Sequence, residues 1–250
     1  MSQFELNRTW SLLGRLGLGA VLCVAGLQAT AQNPEVQQRL AEIKASTAQN
    51  KQNLATYTWQ EQDTISLKGE VKKQESYQVH MGPDGKPQKT PLNAGQAPQQ
   101  PQQAQGGGGR RGGRVKEKIV ENKKEEYKEY AEKIGALAHS YAPPDPAKLQ
   151  QAFQQGNVKA SAGSAPDEVQ LLITSYVKPN DSMTITFSKE AKAIQSVQIG
   201  SYLDSPSDAV KIAVQFNKLP DGTNHISTMT VEGVSKQLKV AVQNSDYKKM

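Results

Sequence analysis

The chain has 250 residues, with 30 Lys and Arg against 24 Asp and Glu, a formal charge of +6. That length suits one domain with an appendage, by the usual range of about 100–200 residues per domain. Apolar residues are 36% and aromatics 6%, so the core has to be economical, while a single Cys and three well-separated His exclude a disulfide-stapled fold and a Cys- or His-rich metal site.

Residues 1–31 differ from the rest. Arg8 and Arg15 supply a positive start, Leu16 to Leu27 is apolar or Gly throughout, and Ala29-Thr30-Ala31 is a small-x-small cleavage pattern. This order predicts a cleaved secretory signal peptide. Twelve apolar residues are too few to cross roughly 30 Å of hydrocarbon as a helix. A lipoprotein signal would want a small residue before Cys23, and Leu22 stands there. Cleavage is therefore expected near Ala31, placing the protein in the periplasm or outside the cell, not in the membrane as an integral protein. The predicted mature chain, residues 32–250, has no Cys and stays mildly basic, which suits weak attraction to anionic surfaces and does not point to nucleic acid.

Gln32 to Asn53 predicts a thin amphipathic helix, with Val36, Leu40, Ile43, Thr47 and Leu54 at 3–4 spacing. The period then changes to two. Tyr57, Trp59, Ile65 and Leu67 share a parity opposite Thr58, Gln60, Thr64 and Ser66. After a turn at Lys68-Gly69-Glu70, the residues Val71, Tyr77, Val79 and Met81 share another. Gly82-Pro83-Asp84-Gly85 is a turn, and a short third strand through Lys89 to Leu92 is expected. Asn93 to Arg114 is Gln, Pro, Ala and Gly, with nothing to bury, and predicts a disordered insertion. An Arg-Gly arm for nucleic acid would want aromatic stacking platforms, and this stretch has none.

Val115 to Tyr141 predicts the longest helix, with Val115, Ile119, Tyr127, Tyr130, Ile134, Leu137 and Tyr141 on one face and alternating Lys and Glu on the other. Asp145 and Pro146 predict the cap and first turn of a short helix that buries Leu149, Ala152 and Phe153 and ends at Gly156. From Glu168 onward strands follow one another, with turns at Pro179-Asn180-Asp181 and Leu219-Pro220-Asp221-Gly222. Eight or nine strands and three helices, without βαβ alternation, make the class α+β. The expected architecture is a curved antiparallel sheet, a half-barrel with one apolar face packed by an N-terminal, a long central and a short helix. An outer-membrane barrel would need aromatic girdles that this composition lacks.

This order of elements, with Tyr57-Thr58-Trp59 opening a hairpin after the first helix, resembles the periplasmic lipoprotein-carrier proteins that sort outer-membrane lipoproteins, and their relatives. The resemblance covers most of residues 34–245. It implies a half-barrel lined by aromatic and aliphatic residues with helices as a lid, acyl-chain binding and no catalysis. Two features depart from that pattern: the insertion at 93–114, and Gln60 and Gln62 where the carrier keeps an Arg that holds its lid. The chain is also similar to uncharacterised exported bacterial proteins with YTW, GPDG…KTPL and LPDGTN stretches, here at 57–59, 82–91 and 219–224.

No phosphate loop, no Gly-x-Ser-x-Gly elbow and, in the mature chain, no thiol is present, so no enzyme is expected. His80, His139 and His225 read as surface side chains, and no metal or cofactor is expected. Asp181, Asp204 and Asp208 lie in loops without the Gly and Glu of a calcium site. Tyr57 and Trp59 either pack the core or line a cleft. If a cleft exists, Ile65, Tyr77, Phe187, Ile212 and Phe216 line it with them, and its walls suit a lipid or acyl chain. The alternative is an envelope protein-interaction module whose helices fill the sheet.

Overall fold

The computed structural model describes residues 34–92 and 113–250, with side chains from 125 onward in the second stretch. The predicted signal peptide at 1–31 lies outside them. So does the predicted insertion, except that Gly113 and Arg114 already begin a helix. In chain order the elements are α1 (Pro34–Leu54), β1 (Tyr57–Leu67), β2 (Glu70–Met81), β3 (Pro87–Pro91), α2 (Gly113–His139), α3 (Pro146–Gln154), β4 (Val158–Ala162), β5 (Glu168–Thr174), β6 (Ser182–Ser188), β7 (Ala193–Tyr202), β8 (Ala209–Lys218), β9 (Asn224–Gly233) and β10 (Leu238–Lys249).

All ten strands form one antiparallel sheet in the order β3-β2-β1-β10-β9-β8-β7-β6-β5-β4. Two meanders, β1–β3 and β4–β10, join where β1 pairs with β10. The remaining connection, from β3 to β4, runs between opposite edges of the sheet and carries α2 and α3. The curved sheet is therefore open, with β3 and β4 as its edges, and is not a closed barrel. Pro87 and Pro91 bracket the exposed edge strand β3, where missing N–H groups do not break a ladder. The expected α+β class and curved sheet with three helices are present, with ten strands where eight or nine were expected. The extra one is β4. Its sequence, Val158-Lys159-Ala160-Ser161-Ala162, is too poor in large apolar side chains to show a period of two.

The helices form where local signals place them. The Asp145 carboxylate accepts from the Ala147 N–H at 2.8 Å, Pro146 opens α3, and Gly156 follows its end at φ +75°. Such a cap is worth about 1 kcal/mol. Helix α1 buries Val36, Leu40 and Ile43, one stripe at i, i+4, i+7. It packs on α3 and on β1, β4, β7 and β9, while α2 lies on β9 and β10. One backbone position admits α2: a Cβ on Gly233 of β9 would sit 2.3 Å from Tyr130 Cε1. Only glycine lets that ring rest on the strand.

Strand register lines the inward face in rows. Val158, Ile173, Met183, Ile199, Ile212, Val231, Val240 and Ile65 stand opposite one another across eight strands. Side chains of period two place every one of them on the helix side. From β5 to β8 these rows are fully buried beneath the helices. On β1, β9 and β10, Ile65, Leu67, Ile226, Met229 and Val240 are only partly buried.

Candidate functional site

The inward rows change character at β1. The row through Ile185, Val197, Val214, Met229 and Val242 arrives opposite Asp63, then Glu75. The next position on β1 is Glu61, flanked by Asn244 of β10 and Tyr77 of β2. Glu61 and Asp63 keep the same parity as Tyr57, Trp59, Ile65 and Leu67, so they share the inward face. An apolar surface therefore ends in two carboxylates.

Glu61 is 7% exposed. Lys89 reaches over from β3 and forms an ion pair with Glu61 Oε1, and its Nζ lies 3.5 Å from Asp63 Oδ2. One ammonium thus serves two carboxylates. Burial pushes the Glu61 carboxyl above its ordinary range, and the hydrogen bond and charge of Lys89 offset this only in part. Burial alone would lower Lys89, but its bond to Glu61 and the nearby charges leave it above the usual lysine range. The Tyr77 phenol rises to about 12, first through burial and then through Glu75. Glu75 has its own cation, Lys73, at 2.8 Å. Four buried polar atoms here have no hydrogen-bond partner: Trp59 Nε1, Asp63 Oδ1, Asn244 Oδ1 and Glu61 Oε1, the last of which has its ion pair with Lys89. Burying such groups unpaired costs on the order of 1–3 kcal/mol each.

An aromatic group adjoins the carboxylates. Trp59 stacks on Tyr247, with ring centroids 5.5 Å apart and planes 14° from parallel, and Tyr57 meets Tyr247 edge-on at 6.5 Å. His225 lies 4.2 Å from Tyr247, and burial pushes its imidazole below the usual 6.5. The expectation of a surface His225 is corrected: it is buried at the start of β9, against Tyr247 of β10. Tyr57 donates a 2.6 Å hydrogen bond to Asp221 Oδ2, which holds the Asp221 carboxyl at about 2.

The seven residues predicted to line a cleft fall into separate groups. Phe187 and Ile212 lie deep in the core, with Phe216 and Ile65 half-buried against it. Tyr57 and Trp59 are buried with Tyr247, and Tyr77 stands beside Glu61 and Lys89. A pocket of about 600 Å³ is lined by residues 160–166 with Glu35, Glu168, Val169 and Lys189. A second of about 450 Å³ lies by Lys51, Gln52, Ala55, Met81, Gly82, Pro83 and Gly85. None of the seven residues lines either one. Sequence reasoning missed Glu61, Asp63, Lys89, Asn244 and Tyr247, although the first two stand in plain view on the apolar parity of β1.

Two of the loop acids, Asp181 and Asp208, have structural partners. The Asp181 carboxylate accepts from the N–H groups of Tyr176, Val177 and Lys178. Asp208 Oδ1 accepts from Tyr130 Oη at 2.8 Å and from Ser235 Oγ at 2.5 Å. Among the described residues, no group of three or more His, Cys, Asp or Glu is placed to hold a metal ion. Nor is any helix among them long and apolar enough to cross a membrane.

The fold and site define an α+β protein with an open curved antiparallel sheet whose helix-covered face runs from apolar to acidic. No protein-family model matches the chain, and no curated protein matches it. Among solved structures it is similar to a DUF1329 family protein from Desulfovibrio piger, at 12% identity over 86% of this chain and 92% of that one, with a TM-score of 0.44. It is also similar to a LolA superfamily protein from Nitrosomonas europaea, at 10% identity over 86% of this chain and 93% of that one, with a TM-score of 0.36.

Proposed function

We propose that this is an exported, non-enzymatic binding protein that holds an acyl chain or similar apolar ligand against the inward face of its sheet. One observation carries the reading. Ile65, Leu67, Ile226, Met229 and Val240 form a half-buried apolar surface on β1, β9 and β10, continuous with the fully buried core under the helices. Apolar area left accessible on a concave face gains about 25 cal/mol for each Å² a ligand removes from water. Of the residues expected to line a cleft, Ile65 belongs to that surface and Phe216 is half-buried against the same core, while Phe187 and Ile212 are sealed beneath it. Export rests on the sequence of residues 1–31, and one domain over residues 32–250 belongs to the same reading.

Native mass spectrometry of the protein, purified without detergent, tests this. A discrete added mass that organic extraction removes and identifies as lipid is the expected result. A bare mass, with no uptake of added fatty acid, long-chain alcohol or phospholipid, rejects the reading in favour of an envelope protein-interaction module.

A further inference from the structure

We infer that the Trp59–Glu61–Asp63–Asn244 cluster is the head-group end of the ligand site, and that it takes an amphiphile bearing a primary ammonium next to an oxygen acceptor. The inference rests on the apolar-ligand reading above and adds the ligand's polar chemistry. The chain of observations starts at β1. Asp63 and Glu61 succeed Ile65 on the inward parity, so a ligand lying along Ile65 and Val240 meets carboxylates at its end. Strand geometry places alternate residues roughly 6–7 Å apart, a few carbon–carbon bonds of an extended chain.

The charges and the open hydrogen-bonding atoms agree. Glu61 and Asp63 share the single ammonium of Lys89, because Glu75 is already matched by Lys73. Two acceptors, Asp63 Oδ1 and Asn244 Oδ1, lack a donor. An ammonium supplies three donors and a second cation for the two carboxyls, whereas a carboxylate or phosphate head would crowd them with more acceptors. The open donor of this cluster is Trp59 Nε1, on a side chain only 6% exposed and two residues before Glu61 on the same face. It suits an ester, hydroxyl or phosphoryl oxygen beside the amine. Trp59 is fixed by its stack on Tyr247, so its N–H is pre-positioned.

Three probes of equal chain length separate the possibilities: dodecylamine, dodecanol and dodecanoate, titrated below their micelle concentrations into the intact protein by calorimetry. The expected order is dodecylamine tightest, by tenfold or more over dodecanol, with dodecanoate weakest. Asp63→Asn keeps the side chain's shape, removes its charge and replaces one acceptor oxygen with an amide NH2. It should erase the amine preference, bringing dodecylamine and dodecanol to within about twofold of each other. A circular-dichroism melt of the variant confirms that it is folded, and Trp59→Phe, which keeps an aromatic ring but loses the indole N–H, should weaken dodecylamine and dodecanol alike. Equal binding of all three probes, or preference for dodecanoate, overturns the head-group inference and leaves the apolar site standing. Binding of none overturns both.

Discussion

The Tyr141 hydroxyl, just beyond the end of α2, donates a 2.5 Å hydrogen bond to Asp181 in the β5–β6 turn, forty residues away. Ser201 of β7 meets the same hydroxyl at 2.8 Å. Asp181 in turn gathers the N–H groups of Tyr176, Val177 and Lys178. One carboxylate thus shapes a turn and ties the helical layer to it. Tyr141 is fully buried, and both burial and Asp181 push its phenol well above the usual range, so it stays a donor.

Tyr141→Phe removes one donor and leaves Asp181 its backbone partners, so about 1–2 kcal/mol of stability should be lost in urea unfolding. Asp181→Ala strands three buried or half-buried N–H groups and should cost more, about 3 kcal/mol. Equal, small losses from both would show that the turn does not depend on this carboxylate.

Gly233→Ala should cost about 1–3 kcal/mol, because its Cβ would meet the Tyr130 ring at 2.3 Å. Tyr130 cannot swing away without breaking its bond to Asp208. In a Tyr130→Ala background the glycine should become nearly neutral to substitution. A double-mutant cycle by chemical denaturation measures that coupling, and additive losses would place the strain elsewhere.

Two pH windows should be separable in stability profiles. Burial lowers the His225 pKa below 6.5, so the folded state binds this proton less readily than the unfolded chain. Stability from this group is complete above about pH 6.5 and falls as pH drops beneath it. Asp221, held at about 2 by Tyr57, contributes stability above its ordinary 3.8 that is lost as pH falls from about 4 toward 2. His225→Gln should flatten only the first window, and Tyr57→Phe should weaken only the second. Urea midpoints collected from pH 8 to pH 2 report both.

Much of this fold is legible in the sequence. Asp145-Pro146 and Gly156 mark α3, Gly82-Pro83-Asp84-Gly85 marks the β2–β3 turn, and clean alternation marks β8. The site was harder to see for physical reasons. Glu61 and Asp63 break the apolar parity of β1, and a pattern defined by its apolar members passes over them. Tyr247 is hidden by a bulge. The inward residues of β10 are even-numbered through Asn244, but Trp59 of β1 faces an extra residue there, with Asp246 at φ +53°. Parity flips, and the odd-numbered Tyr247 arrives on Trp59. The Lys89–Glu61 pair depends on β3 and β2 being paired in a particular register, which no local period encodes.

The central claim is that an apolar ligand lies on the inward face at β1, β9 and β10. Methionine methyl NMR tests it directly, because Met229 sits half-buried on that face, Met183 is sealed in the core, and Met81 lines the second pocket. On titration with submicellar dodecanol, the Met229 methyl signal should shift most, Met183 should follow weakly, and Met81 and Met250 should stay in place. Met→Leu variants assign the signals. A response confined to Met81, or a Met229 signal that never moves, would contradict the account.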